Sequence, residues 1–196
     1  MLTFSKKLLI FLAGLLISSA VFSQDDQIPV RDDHIAKAKV EIAHPVDLGF
    51  GLGIDYGGTL GVQLGLTAAK HITFFASGGY FVFQGAWNVG IKTLFVAKSS
   101  KHVFRPYLKG MYGCHAAIYI DGADQYNQIY KGWTIGLGME LRFGKNKKTG
   151  FNMDLGVPLK TPEYWTDYNK VKNDPTVEIY IDQVPVAFSV GFHHEF

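Results

Sequence analysis

From residue 46 onward the chain alternates between large apolar and small or polar side chains with a period of two, the spacing of a strand whose two faces meet different surroundings. Eight such segments are predicted. The first, Val46 to Asp55, sets Leu48, Phe50, Leu52 and Ile54 against Gly49, Gly51 and Gly53, and Tyr56-Gly-Gly58 turns it. The second, Thr59 to Thr67, sets Leu60, Val62, Leu64 and Leu66 against Gly61, Gln63 and Gly65. The third, His71 to Val82, carries aromatics on both faces because Phe74 and Phe75 are adjacent, so its facing stays open. The fourth, Gly85 to Phe95, opposes Trp87, Val89, Ile91 and Phe95 to Asn88, Gly90 and Lys92. The fifth, His102 to about Ile118, opposes Phe104, Leu108 and Tyr112 to Arg105, Tyr107 and Lys109. The sixth runs Trp133, Ile135, Leu137, Met139, Leu141 and Phe143 along one face, with Thr134, Gly136, Gly138, Glu140 and Arg142 along the other. The seventh, Gly150 to Leu159, opposes Phe151, Met153, Leu155 and Val157 to Asn152, Asp154 and Gly156. The eighth, Val184 to Phe196, places Val184, Val186, Phe188, Val190 and Phe192 on one face. A phase change between Ile181 and Val184 predicts a bulge near Asp182-Gln183.

The charged residues choose the facing. Lys92, Arg105, Lys109, Glu140, Arg142 and Asp154 all lie opposite the bulky apolar residues. In a membrane barrel a basic side chain turned to lipid costs about 2–4 kcal/mol at the midplane, so several would approach the stability of a whole domain. The ionic and glycine-rich face is therefore expected inward, with Glu140 and Lys109 able to pair, and the large residues outward. Eight strands enclose a space that side chains fill, so no wide channel is expected. The fold class that follows is all-β, an eight-stranded antiparallel up-and-down transmembrane β-barrel over residues 46–196. With both termini on one side, turns near Ala69-Lys70, Ser99-Ser100 and Lys145 to Thr149 are short. The connections Asp121 to Gln128 and Lys160 to about Gln183 are longer and expected on the outer side.

The amino terminus reads as an export address: Lys6 and Lys7, a ten-residue apolar run from Leu8 to Ile17, then Val21 and Ser23 at a cleavage point before Gln24. A spanning helix needs about 20 apolar residues, so residues 1–23 are expected to be a cleaved signal peptide. Residues 24–45 form a periplasmic N-terminal segment in which Ala36, Ala38, Val40 and Ile42 alternate with Lys37, Lys39 and Glu41.

Composition narrows the remaining classes. The 22 Gly and 14% aromatic residues, with a slightly positive mean hydropathy, make helices a poor fit throughout. A net charge of +2, near zero without the signal, and the scattered Arg31, Arg105 and Arg142 disfavour nucleic acid. The single cysteine, Cys114, excludes an intrachain disulfide and reads as a small buried strand residue.

No catalytic, cofactor-binding or metal-ligating set is expected. None of the 7 histidines is followed two positions later by the serine that lipid A deacylase barrels use, and His71-Ile-Thr73 lies at a turn on the wrong side. His193 and Glu195 share a face, but two ligands on one strand make a poor metal site without a third, and lumen polarity explains them. The cluster Pro162-Glu-Tyr-Trp-Thr-Asp-Tyr168 offers Tyr164, Trp165 and Tyr168 as speculative loop contacts, able to stack on surface sugars. An interfacial aromatic girdle accounts for them more simply.

The signal-like start, the eight segments, the Arg105-Pro-Tyr-Leu108 entry to the fifth strand and the ending Phe188, Val190, Phe192, Phe196 together resemble a known family. These are the small eight-stranded outer-membrane barrels of Gram-negative bacteria, of the OmpA transmembrane-domain and OmpX type. The Ser23-Gln-Asp opening resembles those of Bacteroidetes. The resemblance implies residence in the bacterial outer membrane, with membrane lipid as partner. It also implies that Phe188, Val190, Phe192 and Phe196 are the signal read by the barrel-assembly machinery; His194 stands where that signal usually has an aromatic or apolar residue. Members serve as tethers, adhesins, resistance factors or narrow pores, and no motif here selects among them. The expected role is structural or surface-interacting, through loops that meet an unidentified extracellular ligand, without catalysis. The alternatives are an exported soluble lipocalin-like binding barrel, which needs an apolar interior, and a barrel enzyme that modifies outer-membrane lipid.

Overall fold

The structure, a computed structural model, describes residues 45–196 apart from 82, 121, 176 and 178–184. The expected signal peptide, the alternation before residue 45 and the bulge near Asp182-Gln183 lie outside the described residues.

Eight antiparallel strands close in sequence order: β1 (Val46–Gly53), β2 (Gly58–Ala69), β3 (Ile72–Tyr80), β4 (Gly85–Leu94), β5 (Phe104–Ile118), β6 (Gln128–Phe143), β7 (Thr149–Pro158) and β8 (Ala187–Glu195). Every strand pairs with its sequence neighbour, and β1 closes on β8 from Asp47 opposite Glu195 to Leu52 opposite Val190. Closure leaves no unpaired edge, which is how an all-β domain avoids open-ended pairing. A small irregularity at Cys114/Ala116 lets the long β5 follow β6 out beyond the rest of the cylinder, and Cys114 is buried there.

The two faces sort as the alternation requires. Phe50 and Trp133 are each 60% exposed and Leu137 51%, while Lys92, Lys109, Glu140 and Arg142 are buried inside and Arg105 has no exposed surface at all. The facing of β3 resolves: Phe74 points out and Phe75 in, where the Lys92 ammonium lies 5.4 Å from its ring centre. An outer wall of large apolar side chains around an ionic core inverts the ordinary soluble arrangement.

Two features depart from the sequence reading. The β1–β2 connection is more than the Tyr56-Gly-Gly58 turn that the sequence suggests. A single 3-10 turn, Ile54–Tyr56, is packed against β2, β3, β4 and β8, so it folds into the lumen, with Asp55 and Tyr56 both buried. The Tyr56 ring lies against Gly51, where an added Cβ would come within 2.6 Å of it. Gly57, at φ +82°, makes the left-handed step that reverses the chain. The glycines on this face of β1 leave room for the plug.

The second departure is a helix, α1 (Pro162–Lys172), in the β7–β8 connection. Thr161 caps it by accepting from the Tyr164 amide at 3.4 Å, Pro162 takes the first turn, and Glu163 and Lys170/Lys172 sit at the ends the helix dipole favours. Tyr164, Tyr168 and Val171, spaced i, i+4, i+7, bury one face against Ile118 and Tyr130. No helix among the described residues is long and apolar enough to cross a membrane, which says nothing of strands.

Candidate functional site

The closed strand order places the start of β1, the ends of β6 and β8 and the 95–103 connection at one mouth of the barrel, here called the terminal end. Three carboxylates and three cations meet just inside it. Pairing of β5 with β6 sets Arg105 directly opposite Glu140, and the guanidinium donates to Glu140 and to Glu195. Arg142 donates to the other Glu195 oxygen at 3.0 Å and to the Ser100 carbonyl at 2.6 Å. Lys98 reaches in from the 95–103 connection to Asp47 at 3.1 Å and Glu195 at 3.0 Å. Asp47, Glu140 and Glu195 thus balance Lys98, Arg105 and Arg142 one for one. Buried charge of this kind persists only when it is matched and hydrogen-bonded.

A second network crosses the middle of the lumen and holds the inward turn. Lys109 pairs with Asp55 from the plug and with Asp154 at 2.9 Å, and the Tyr107 hydroxyl donates to Asp154 at 2.6 Å. Lys92 donates to Gln63 at 2.7 Å, and Gln63 in turn donates to the Asp55 carbonyl at 3.1 Å. The expected Glu140–Lys109 pair does not form. Lys109 stands opposite Gly136, two pleat repeats along β6 from Glu140, and finds its carboxylates on the plug and on β7.

His193 points into the lumen and His194 out of it, where His194 meets Thr149 at 2.9 Å. His193 does not join Glu195. It converges instead with Asp47 and Glu140, and one donor atom from each of the three lies within 4.8 Å of the others. All three side chains are buried, and neither His193 ring nitrogen has a hydrogen-bond partner among the described residues. A nitrogen and two carboxylate oxygens form a mixed donor set of the kind that divalent first-row metals accept. The sequence reading looked for ligands along one strand and missed this set, whose members come from β1, β6 and β8. Its only advance signal was that all three occupy the inward phase near the same mouth.

The other singled-out residues are placed as follows. Phe188, Phe192 and Phe196 are exposed on the outer wall, with Val190 half-buried between them. Phe192 packs between Phe50 and Phe151, at ring-centre distances of 5.9 and 5.2 Å. Tyr164 and Tyr168 are buried in the small core under α1, with Tyr164 edge-on to Tyr130 at 5.2 Å, while Trp165 stays partly exposed. On the α1 helix, Asp167 accepts from Tyr130 of β6 at 3.0 Å and from Lys170 at 2.8 Å. Those two hydrogen bonds hold the Asp167 carboxyl below the usual carboxylate range. The Tyr126 hydroxyl donates to Asp174, which raises its own pKa. The His71 ring bonds to the Leu94 carbonyl, at 2.8 Å.

Compared with protein-family models, with curated proteins and with solved structures, the chain matches none of them.

Proposed function

We propose that this closed eight-stranded barrel is embedded in a bacterial outer membrane and works by binding, at its two ends, rather than by conducting through its centre. The observation that carries the membrane half is the inversion of the two faces. Leu48, Phe50, Leu60, Leu64, Trp133, Ile135 and Leu137 form an outer band that water would not tolerate as a free surface. The Ile54–Tyr56 plug and the Lys109–Asp55–Asp154 ties fill the lumen, which argues against a pore. The α1 helix with its tyrosine core gives the far end an ordered platform. Phe188, Val190, Phe192 and Phe196 serve as the assembly signal in this reading, and residues 1–23 as the export signal.

A soluble binding barrel is the second reading, and the convergence of Asp47, Glu140 and His193 inside the cylinder favours its binding component. A lipocalin-like calyx places its bulky apolar residues inside, whereas here they face outward. The decisive experiment is fractionation of the full chain after expression in a Gram-negative host. Outer-membrane recovery, detergent-dependent solubility and heat-modifiable gel migration are expected. Recovery as a detergent-free soluble periplasmic protein would overturn the membrane half and leave the binding component standing.

A further inference from the structure

His193 poses the sharpest chemical question in the molecule. The residue is only 3% exposed, and both ring nitrogens lack partners among the described residues. A buried donor and acceptor left unmatched forfeit the hydrogen bonds water gave them, which destabilises the fold unless another ligand takes their place. The ring is nevertheless fixed in place over Gly150, where a Cβ would come within 2.7 Å of Nε2. The groups around it are carboxylates on Asp47 and Glu140, close enough to share one small cation with it.

We propose that Asp47, Glu140 and His193 form a binding site for a first-row divalent cation, Zn²⁺ foremost, with the Lys98 ammonium competing for the Asp47 carboxylate when no metal is bound. The donor set selects the metal. Calcium takes six to eight oxygen ligands and magnesium a near-ideal octahedron of oxygens, whereas one imidazole and two carboxylates suit zinc. Tetrahedral zinc with bonds of about 2.0–2.1 Å sets its ligand atoms about 3.3 Å apart. The donors, now within 4.8 Å of one another, must draw in to reach that spacing.

Charge explains why Lys98 takes part. Adding a divalent ion to a cluster already balanced would leave two uncompensated positive charges in a poorly solvated lumen. Departure of Lys98 halves that excess and frees the Asp47 oxygen it now holds at 3.1 Å. Lys98 hangs from the 95–103 connection at the barrel mouth, and Asp47, with 12% of its side chain exposed, opens the same way. Glu195 keeps Arg105 and Arg142 throughout.

This inference rests on the binding half of the proposed function and not on the lipid surroundings. Its test is titration of the full chain, folded in detergent micelles, with Zn²⁺ against a chromophoric chelator, with Co²⁺ absorption as a second readout of coordination. One Zn²⁺ per barrel is expected. His193→Gln should weaken binding by about tenfold or more, and Lys98→Met should tighten it by about tenfold because the competing ammonium is gone. Should His193→Gln fail to fold, as gel migration would reveal, the Lys98→Met titration decides alone. Equal affinities in parent and Lys98→Met, preference for Ca²⁺ or Mg²⁺, or no saturable Zn²⁺ binding by Lys98→Met would each overturn the site. A barrel that needs detergent yet binds no Zn²⁺ sinks the metal and keeps the membrane; a soluble, Zn²⁺-binding barrel does the reverse.

Discussion

Replacing Arg105 by methionine removes one positive charge from the terminal cluster and strands a particular partner. Glu195 retains Lys98 at 3.0 Å and Arg142 at 3.0 Å, but Glu140 has no ion pair besides Arg105 among the described residues. With Glu140 only 2% exposed, the variant leaves a buried carboxylate uncompensated. Removing one member of a buried pair costs about 3–5 kcal/mol, a large share of the 5–15 kcal/mol or so that holds a typical domain folded. Removing both members is different: in Arg105→Met/Glu140→Met, Asp47 and Glu195 still balance Lys98 and Arg142. The double variant should recover most of the loss, with a coupling energy of about 2–3 kcal/mol. Urea unfolding in micelles, followed by tryptophan fluorescence, measures all four corners of the cycle. A single-variant loss below about 1 kcal/mol, or a double variant no better than the single, would refute the claim that buried pairing stabilises this end.

Three further outcomes are expected from other parts of the molecule. Tyr56→Ala removes the ring lying against Gly51 and should raise single-channel conductance in planar bilayers; unchanged conductance would mean that the inward turn does not obstruct the lumen. Leu137→Arg places a cation in the middle of the outer apolar band and should cost about 2–4 kcal/mol of folding stability in lipid vesicles, whereas a neutral effect would argue that this wall does not meet hydrocarbon. Asp167 has a depressed folded-state pKa, because Lys170 and Tyr130 donate to it. Its contribution is therefore complete above the unfolded value of about 3.9 and is lost as pH falls through the lower folded value. Trp165 fluorescence should report loosening of α1 only in that acid range, and Asp167→Asn should flatten the transition.

The strands were legible because a barrel with an apolar outer wall and a polar interior writes one rule at every second residue. β6 shows it best: Trp133 through Phe143 point outward and Thr134 through Arg142 inward, without a break in phase. β3 stayed open because Phe74 and Phe75 are equally apolar, and hydropathy alone cannot assign adjacent aromatics to a side. The structure assigns them through a partner distant in sequence: Phe75 lies beneath Lys92. The α1 helix was missed although its signals were present, with Thr161-Pro162-Glu163 at its start and Tyr164, Tyr168 and Val171 on one face. Its eleven residues follow a period of 3.6 in a chain otherwise patterned with a period of two.

The lumen was legible as a polarity but not as an arrangement, and the reason is geometric. Along one strand the inward side chains are about 7 Å apart, too far to chelate together or pair tightly. Contacts that carry chemistry therefore form across the cylinder, between strands whose alignment is set by accumulated register. His193 and Glu195 looked like partners because they share a strand and a face. That same spacing instead delivers Glu195 to Arg105, Arg142 and Lys98, and His193 to Asp47 and Glu140. A closed barrel thus converts a one-dimensional alternation into a set of transverse layers, and binding chemistry belongs to the layer. The terminal end holds two such sets that share Asp47 and Glu140, one matched charge for charge and one completed by an imidazole lacking a partner among the described residues, and that imidazole is what makes His193 the residue to test first.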